Sequence, residues 1–148
     1  MFKAVRLTDD DRLLILDQTL LPQTVAEREL TDCQSLIEAI RSLCETPILC
    51  TLSVYSDGKC YFDGSAEEAA ELLPGLGADA VGINCSSGPD QMGSVVRMMH
   101  RAAGDTPIAA KPNAGLPTIT ETGEAVYSMG PEAFVRHMQA LKASGAAL

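Results

Sequence analysis

At 148 residues the chain is long enough for one ordinary domain or two very small ones. With 46% hydrophobic residues but only three Phe, three Tyr and no Trp, any core must be built from aliphatic side chains. A net charge of −9 argues against nucleic acid or anionic membrane as a partner, and the scattered charges fit an ordinary solvated surface.

Taken in chain order, residues 4–8 and 12–18 read as short strands separated by the polar turn Asp9-Asp10-Asp11, which suggests a hairpin. Residues 25–30 alternate imperfectly and read as a third strand. Thr31 or Asp32 then caps a helix through Leu43, with Leu36, Ile37, Ile40 and Leu43 on one apolar face. Residues 1–44 are therefore expected to form a small β-β-β-α domain.

From residue 45 the pattern changes. Residues 47–54 read as a strand, Ser56-Asp57-Gly58-Lys59 as a turn, and Ser65-Ala66-Glu67-Glu68 as a capping box opening a helix that Pro74 stops. Residues 78–85 read as a buried strand. Gly88-Pro89-Asp90 is expected to start a helix with proline at its first position, ending near Gly104. Residues 107–111 form the next strand, Gly130-Pro131-Glu132 opens a last helix, Gly145 ends it, and residues 146–148 begin one more strand. Three strand–helix units and a final strand give an α/β fold: a partial (β/α)₈ barrel over residues 45–148, about half of the roughly 250 residues a complete barrel takes.

No stretch approaches the roughly 20 apolar residues of a membrane helix, and the N-terminus lacks the apolar core of a signal peptide. A cytoplasmic location is expected. The five cysteines, Cys33, Cys44, Cys50, Cys60 and Cys85, include no CxxC pair, so reduced thiols are expected rather than a disulfide framework or a self-contained zinc finger. Cys50 reads as a small buried apolar residue and Cys60 as partly exposed after its turn. His100 and His137 read as solvated helix residues, and Glu67, Glu68 and Glu71 as dipole complementation at a helix start. Cys85 closes a buried strand at its carboxyl end, where α/β folds place their functional mouth. Its thiol can there be a metal ligand, a nucleophile or a small apolar filler.

Three segments occur together in the second half: Gly77-Ala78-Asp79-Ala80-Val81-Gly82-Ile83-Asn84-Cys85-Ser86, then Lys111-Pro112-Asn113-Ala114-Gly115-Leu116-Pro117, then Val126-Tyr127 followed by Pro131-Glu132-Ala133-Phe134. In this order they resemble the homocysteine S-methyltransferase family, over about residues 45–148. The resemblance implies a zinc held by three cysteines that binds the homocysteine sulfur and lowers its pKa for attack on a methyl donor. Cys85 corresponds to the first zinc ligand. Asn113 matches a residue near metal and substrate, and Asn84 and Lys111 flank the pocket. The other two ligands are expected in a Gly-Gly-Cys-Cys segment that would begin where the chain stops, at Leu148.

Residues 3–43 look different. Lys3-Ala4-Val5-Arg6, Leu13 through Pro22 and Ile37-Glu38-Ala39-Ile40-Arg41 resemble the N-terminal domain of methylthioribose-1-phosphate isomerase. The isomerase's catalytic Cys and Asp have no counterpart here, so that activity is not expected. The overall expectation is a homocysteine S-methyltransferase-like protein with one of three zinc ligands, inactive as a lone chain. The alternatives are an assembly module that self-associates through open barrel edges, or a gene fragment.

Overall fold

The structure, a computed structural model, describes residues 5–6, 14–17, 29–61, 64–85 and 87–148. Strand β3 (Ile48–Leu52) shows how the sequence divides the sheet into two faces. Side chains alternate along a strand. Ile48, Cys50 and Leu52 join one hydrophobic cluster with residues of the helices, while Thr51 and Ser53 are buried on the opposite side. Strands β4 (Ala80–Asn84) and β5 (Ile108–Lys111) divide the same way: Val81, Ile83, Ile108 and Ala110 enter the helix-side cluster, whereas the buried Ala80 and Ala109 stay outside it.

The sheet order is β1-β2-β3-β4-β5, with β1 (Val5–Arg6) and β2 (Leu14–Asp17) antiparallel. From β2 onward all pairings are parallel, with Leu14 opposite Ile48, Leu49 opposite Ala80 and Val81 opposite Ile108. The sheet thus runs without a break across position 44. Residues 146–148 extend it beyond β5: Ala147 N donates to Ile108 O (2.8 Å) and Ala110 N to Leu148 O (3.0 Å). Successive parallel strands are joined by helices α1 (Glu29–Arg41), α2 (Ala66–Leu72), α3 (Gly93–Ala102) and α4 (Pro131–Ala143). All four contribute to the same cluster, through residues such as Ile37, Ala69, Val96 and Leu141, so they cover one face. This is an α/β fold with a parallel sheet and, among the described residues, no closed barrel. No helix among them is long and apolar enough to cross a membrane.

Local signals explain most boundaries. Ser65 Oγ accepts from Glu68 N (3.2 Å), the expected capping box, and Pro74 diverts the chain into a 3₁₀ turn (Pro74–Leu76) closed by Gly77 at φ +112°. Pro131 opens α4, and Gly145 ends it where any Cβ would lie 2.5 Å from the His100 ring.

Other expectations need correction. Helix α1 begins at Glu29, so Glu29 and Leu30 are helical rather than the end of a third strand; residues 25–28 lie outside the described residues. It ends at Arg41, which takes Leu43 off the apolar face and leaves it 84% exposed. Pro89 does not open α3. The chain turns first, with Gln91 N bonded to Gly88 O (3.1 Å), and the helix starts at Gly93. Cys60 is buried because its β-bridge to Val54 draws it into the cluster. An unexpected hairpin, β6 (Pro117–Ile119) with β7 (Ala125–Tyr127), rises between β5 and α4 with all its strand residues exposed. Thr120 closes it, its Oγ1 accepting from Glu124 N (3.0 Å), with Gly123 at φ +84°.

The amino ends of β3 and β4 form a closed base around Arg41. Its Nε donates to Gly77 O (2.9 Å), Nη1 to Thr46 O (2.6 Å), and Nη2 to Gly77 O (2.5 Å) and to Asp79. Asp79 in turn accepts from Ile48 N (2.7 Å).

Candidate functional site

The opposite end of the sheet is the mouth. Strand β4 ends at Asn84, and Cys85 turns out of it with φ +53°, the one non-glycine residue at positive φ among the described residues. A side chain in that region costs about 1–2 kcal/mol, so the surroundings must hold it there. They do so through β5 and the loop after it: Cys85 N donates to Lys111 O (3.0 Å), and Asn113 Nδ2 donates to Cys85 O (2.8 Å). Asn113 N also bonds Ser87 O (3.3 Å), and a Cβ on Gly88 would lie 3.4 Å from Gly115 Cα, so the two loops lie against each other.

The Cys85 thiol donates to Asn84 Oδ1 (3.2 Å), and Asn84 O accepts from Ser53 Oγ (3.2 Å). Asn84 is buried, Asn113 half-buried and Cys85 exposed. Lys111, opposite Asn84 in the register, closes β5 half-buried. All four residues singled out from the sequence therefore meet at one end of two adjacent strands. Sequence reading passed over Ser53, although a signal existed: Thr51 and Ser53 alternate with the apolar Cys50, Leu52 and Val54.

Cys33, Cys50 and Cys60 lie in the helix-side core cluster instead. Cys33 and Cys50 share a side-chain hydrogen bond in the core; that bond, then burial, then the charges of Cys33 and Cys60 push the Cys50 thiol well above its ordinary range. Cys50 stays protonated and inert. His100 is in the last turn of α3, against Gly145 and so toward the base.

A catalytic zinc needs three protein ligands. Among the described residues no group of three or more His, Cys, Asp or Glu side chains could hold a metal ion. Cys85 hydrogen-bonds two asparagines, which carry neutral amides, and these residues do not by themselves fit zinc.

The family model for homocysteine S-methyltransferase matches residues 19–148. The chain belongs to the homocysteine S-methyltransferase family. The match is wider than the expected 45–148 and takes in residues 19–43, which had looked isomerase-like. Methionine synthase of Mycobacterium tuberculosis is 31% identical over 86 residues, and that of Mycobacterium leprae 30% over the same length; each alignment covers 58% of this chain. The chain spans about 7% of the length of these relatives. A solved structure of a Schiff base-forming fructose-1,6-bisphosphate aldolase is similar with a TM-score of 0.45 and 17% identity, over 80% of this chain and 42% of that one, a likeness too slight to carry argument.

Proposed function

We propose that the mouth around Cys85 is the thiol-substrate site of a homocysteine S-methyltransferase, with Asn84 and Asn113 shaping the pocket for homocysteine and Cys85 at a metal-ligand position. Strands β2–β5 and residues 146–148 are then part of a (β/α)₈ barrel whose carboxyl end carries the site. The observation that carries this reading is the pinned Cys85. Its unfavourable φ of +53° is held by Lys111 O and Asn113 Nδ2, a constraint a mere filler residue would not need.

The chemistry of the site follows from these residues. Asn84 Oδ1 accepts a hydrogen bond from the Cys85 thiol and orients its sulfur. Asn113 locks the turn, so the thiol is aimed by the backbone rather than by a free rotamer. Because the described residues offer no three-ligand set, they are not expected to transfer a methyl group unaided.

Native mass spectrometry of the reduced protein with zinc and homocysteine tests the proposal. The chain should retain homocysteine weakly and little zinc, and appending a Gly-Gly-Cys-Cys segment after Leu148 should raise zinc retention in a manner lost in Cys85→Ser. Zinc retention by the extended chain that is indifferent to Cys85→Ser would sink the assignment of Cys85.

A further inference from the structure

Two rows of side chains cross the face of the sheet that the helices do not cover. The upper row is Ser53, Asn84 and Lys111, at the mouth. The row beneath it in β3–β5, one pleat or roughly 7 Å toward the base, is Thr51, Gly82 and Ala109, aligned by the register Thr51 opposite Gly82 opposite Ala109, with Asp17 of β2 opposite Thr51 on the other side. Two of these three are the smallest residues available, and Gly82 tolerates nothing larger: a Cβ there would fall 2.1 Å from Ala109 O. Across β3–β5 the lower row is thus a floor of minimal side chains whose one hydrogen-bonding group is the Thr51 hydroxyl.

That hydroxyl is anomalous. Thr51 is wholly buried, and its Oγ1 has no hydrogen-bond partner, the one such side-chain atom among the described residues. Buried hydroxyls are almost always bonded, because leaving one unpaired sacrifices its hydration without return. Valine, of nearly the same shape, would fill the position without that loss, and β3 is otherwise rich in such residues. A hydroxyl kept at this cost beneath Asn84 has a use that the ligand-free fold does not reveal.

We propose that Thr51 is a specificity-determining residue of the mouth, whose hydroxyl bonds the amino-acid end of the thiol substrate while the substrate sulfur lies toward Cys85. This rests on the homocysteine reading of the mouth. A hydroxyl both donates and accepts, so it can serve either a carboxylate or an ammonium group, and it provides nothing to a plain alkyl chain. A site built to hydrogen-bond a polar group rejects analogues that lack it.

The test compares the reduced 148-residue wild-type chain with Thr51→Val and Thr51→Ser, measuring homocysteine binding by calorimetry and thermal unfolding without ligand. Thr51→Val should bind homocysteine about tenfold more weakly, and Thr51→Ser, which keeps the hydroxyl, should stay within about twofold of wild type. Ligand-free Thr51→Val should melt about 2–4 °C higher, because the unpaired group is gone. Equal homocysteine affinity in wild type and Thr51→Val would overturn the role of Thr51 while leaving the mouth reading intact. No homocysteine binding by wild type would overturn both. A lower melting temperature for ligand-free Thr51→Val would overturn the proposal independently of any ligand, since it would mean that the fold itself uses the hydroxyl.

Discussion

At the base of the sheet Arg41 gathers the carbonyls of Thr46 and Gly77 and the carboxylate of Asp79, and Asp79 also takes up the amide of Ile48. At the mouth, Cys85 is exposed in an unfavourable backbone conformation, Asn84 and Asn113 hold it in place, and the strand residues of the β6–β7 hairpin beyond β5 are exposed. The base is satisfied and the mouth is strained. On the proposed reading, stability and chemistry fall to opposite ends of the same strands, the division expected where substrate binds at the carboxyl edge of a parallel sheet.

The contrast can be broken most violently in the middle. Gly82→Val would drive a side chain into Ala109, and a loss of about 3 kcal/mol is expected in urea unfolding. A tolerated valine would mean that β4 and β5 separate more easily than their register implies. Next comes the base. Arg41→Met should cost about 2 kcal/mol, mostly through the stranded carbonyls of Gly77 and Thr46, because Asp79 is 53% exposed and its ion pair is screened. An unchanged urea midpoint would show that the base is not closed by this residue.

At the mouth the sign reverses. Cys85→Gly should stabilise the fold by about 1 kcal/mol, since glycine relieves the positive φ, while removing the thiol from the site. A destabilised Cys85→Gly would mean that the side chain packs rather than points. The smallest effect belongs to the hairpin. Replacing residues 117–127 by a short turn should change stability by no more than about 0.5 kcal/mol, checked by thermal melting, since its strand residues are exposed throughout.

The parts legible in the sequence were those with local chemical causes. Ser65 and Glu68 announced the start of α2, Pro131 and Gly145 bracketed α4, and the segments around Asn84–Cys85 and Lys111–Asn113 named the ends of two adjacent strands. What was missed depends on tertiary context. Pro89 is as suited to a turn as to a first helical position, so only the packing of the 88–92 turn decides. Leu43 had the right spacing for the apolar face, but the helix had already ended. The hairpin has short, solvent-facing strands, so neither alternation nor a buried run marked it. The residues proposed for the site were singled out by a resemblance; their contact with one another was not legible, because hydrogen bonds between residues 28 apart leave no periodicity.

The Arg41 clamp also bears on the order of events in folding. Its partners Gly77 and Asp79 lie 36 and 38 residues along the chain, so the guanidinium finds them only after β3, α2 and the 3₁₀ turn have closed a long loop. Such a late contact belongs to the native side of the folding barrier. Arg41→Met should therefore hasten unfolding and leave the refolding rate nearly untouched, which makes the base of the sheet a latch on the lifetime of the fold rather than a seed for its formation.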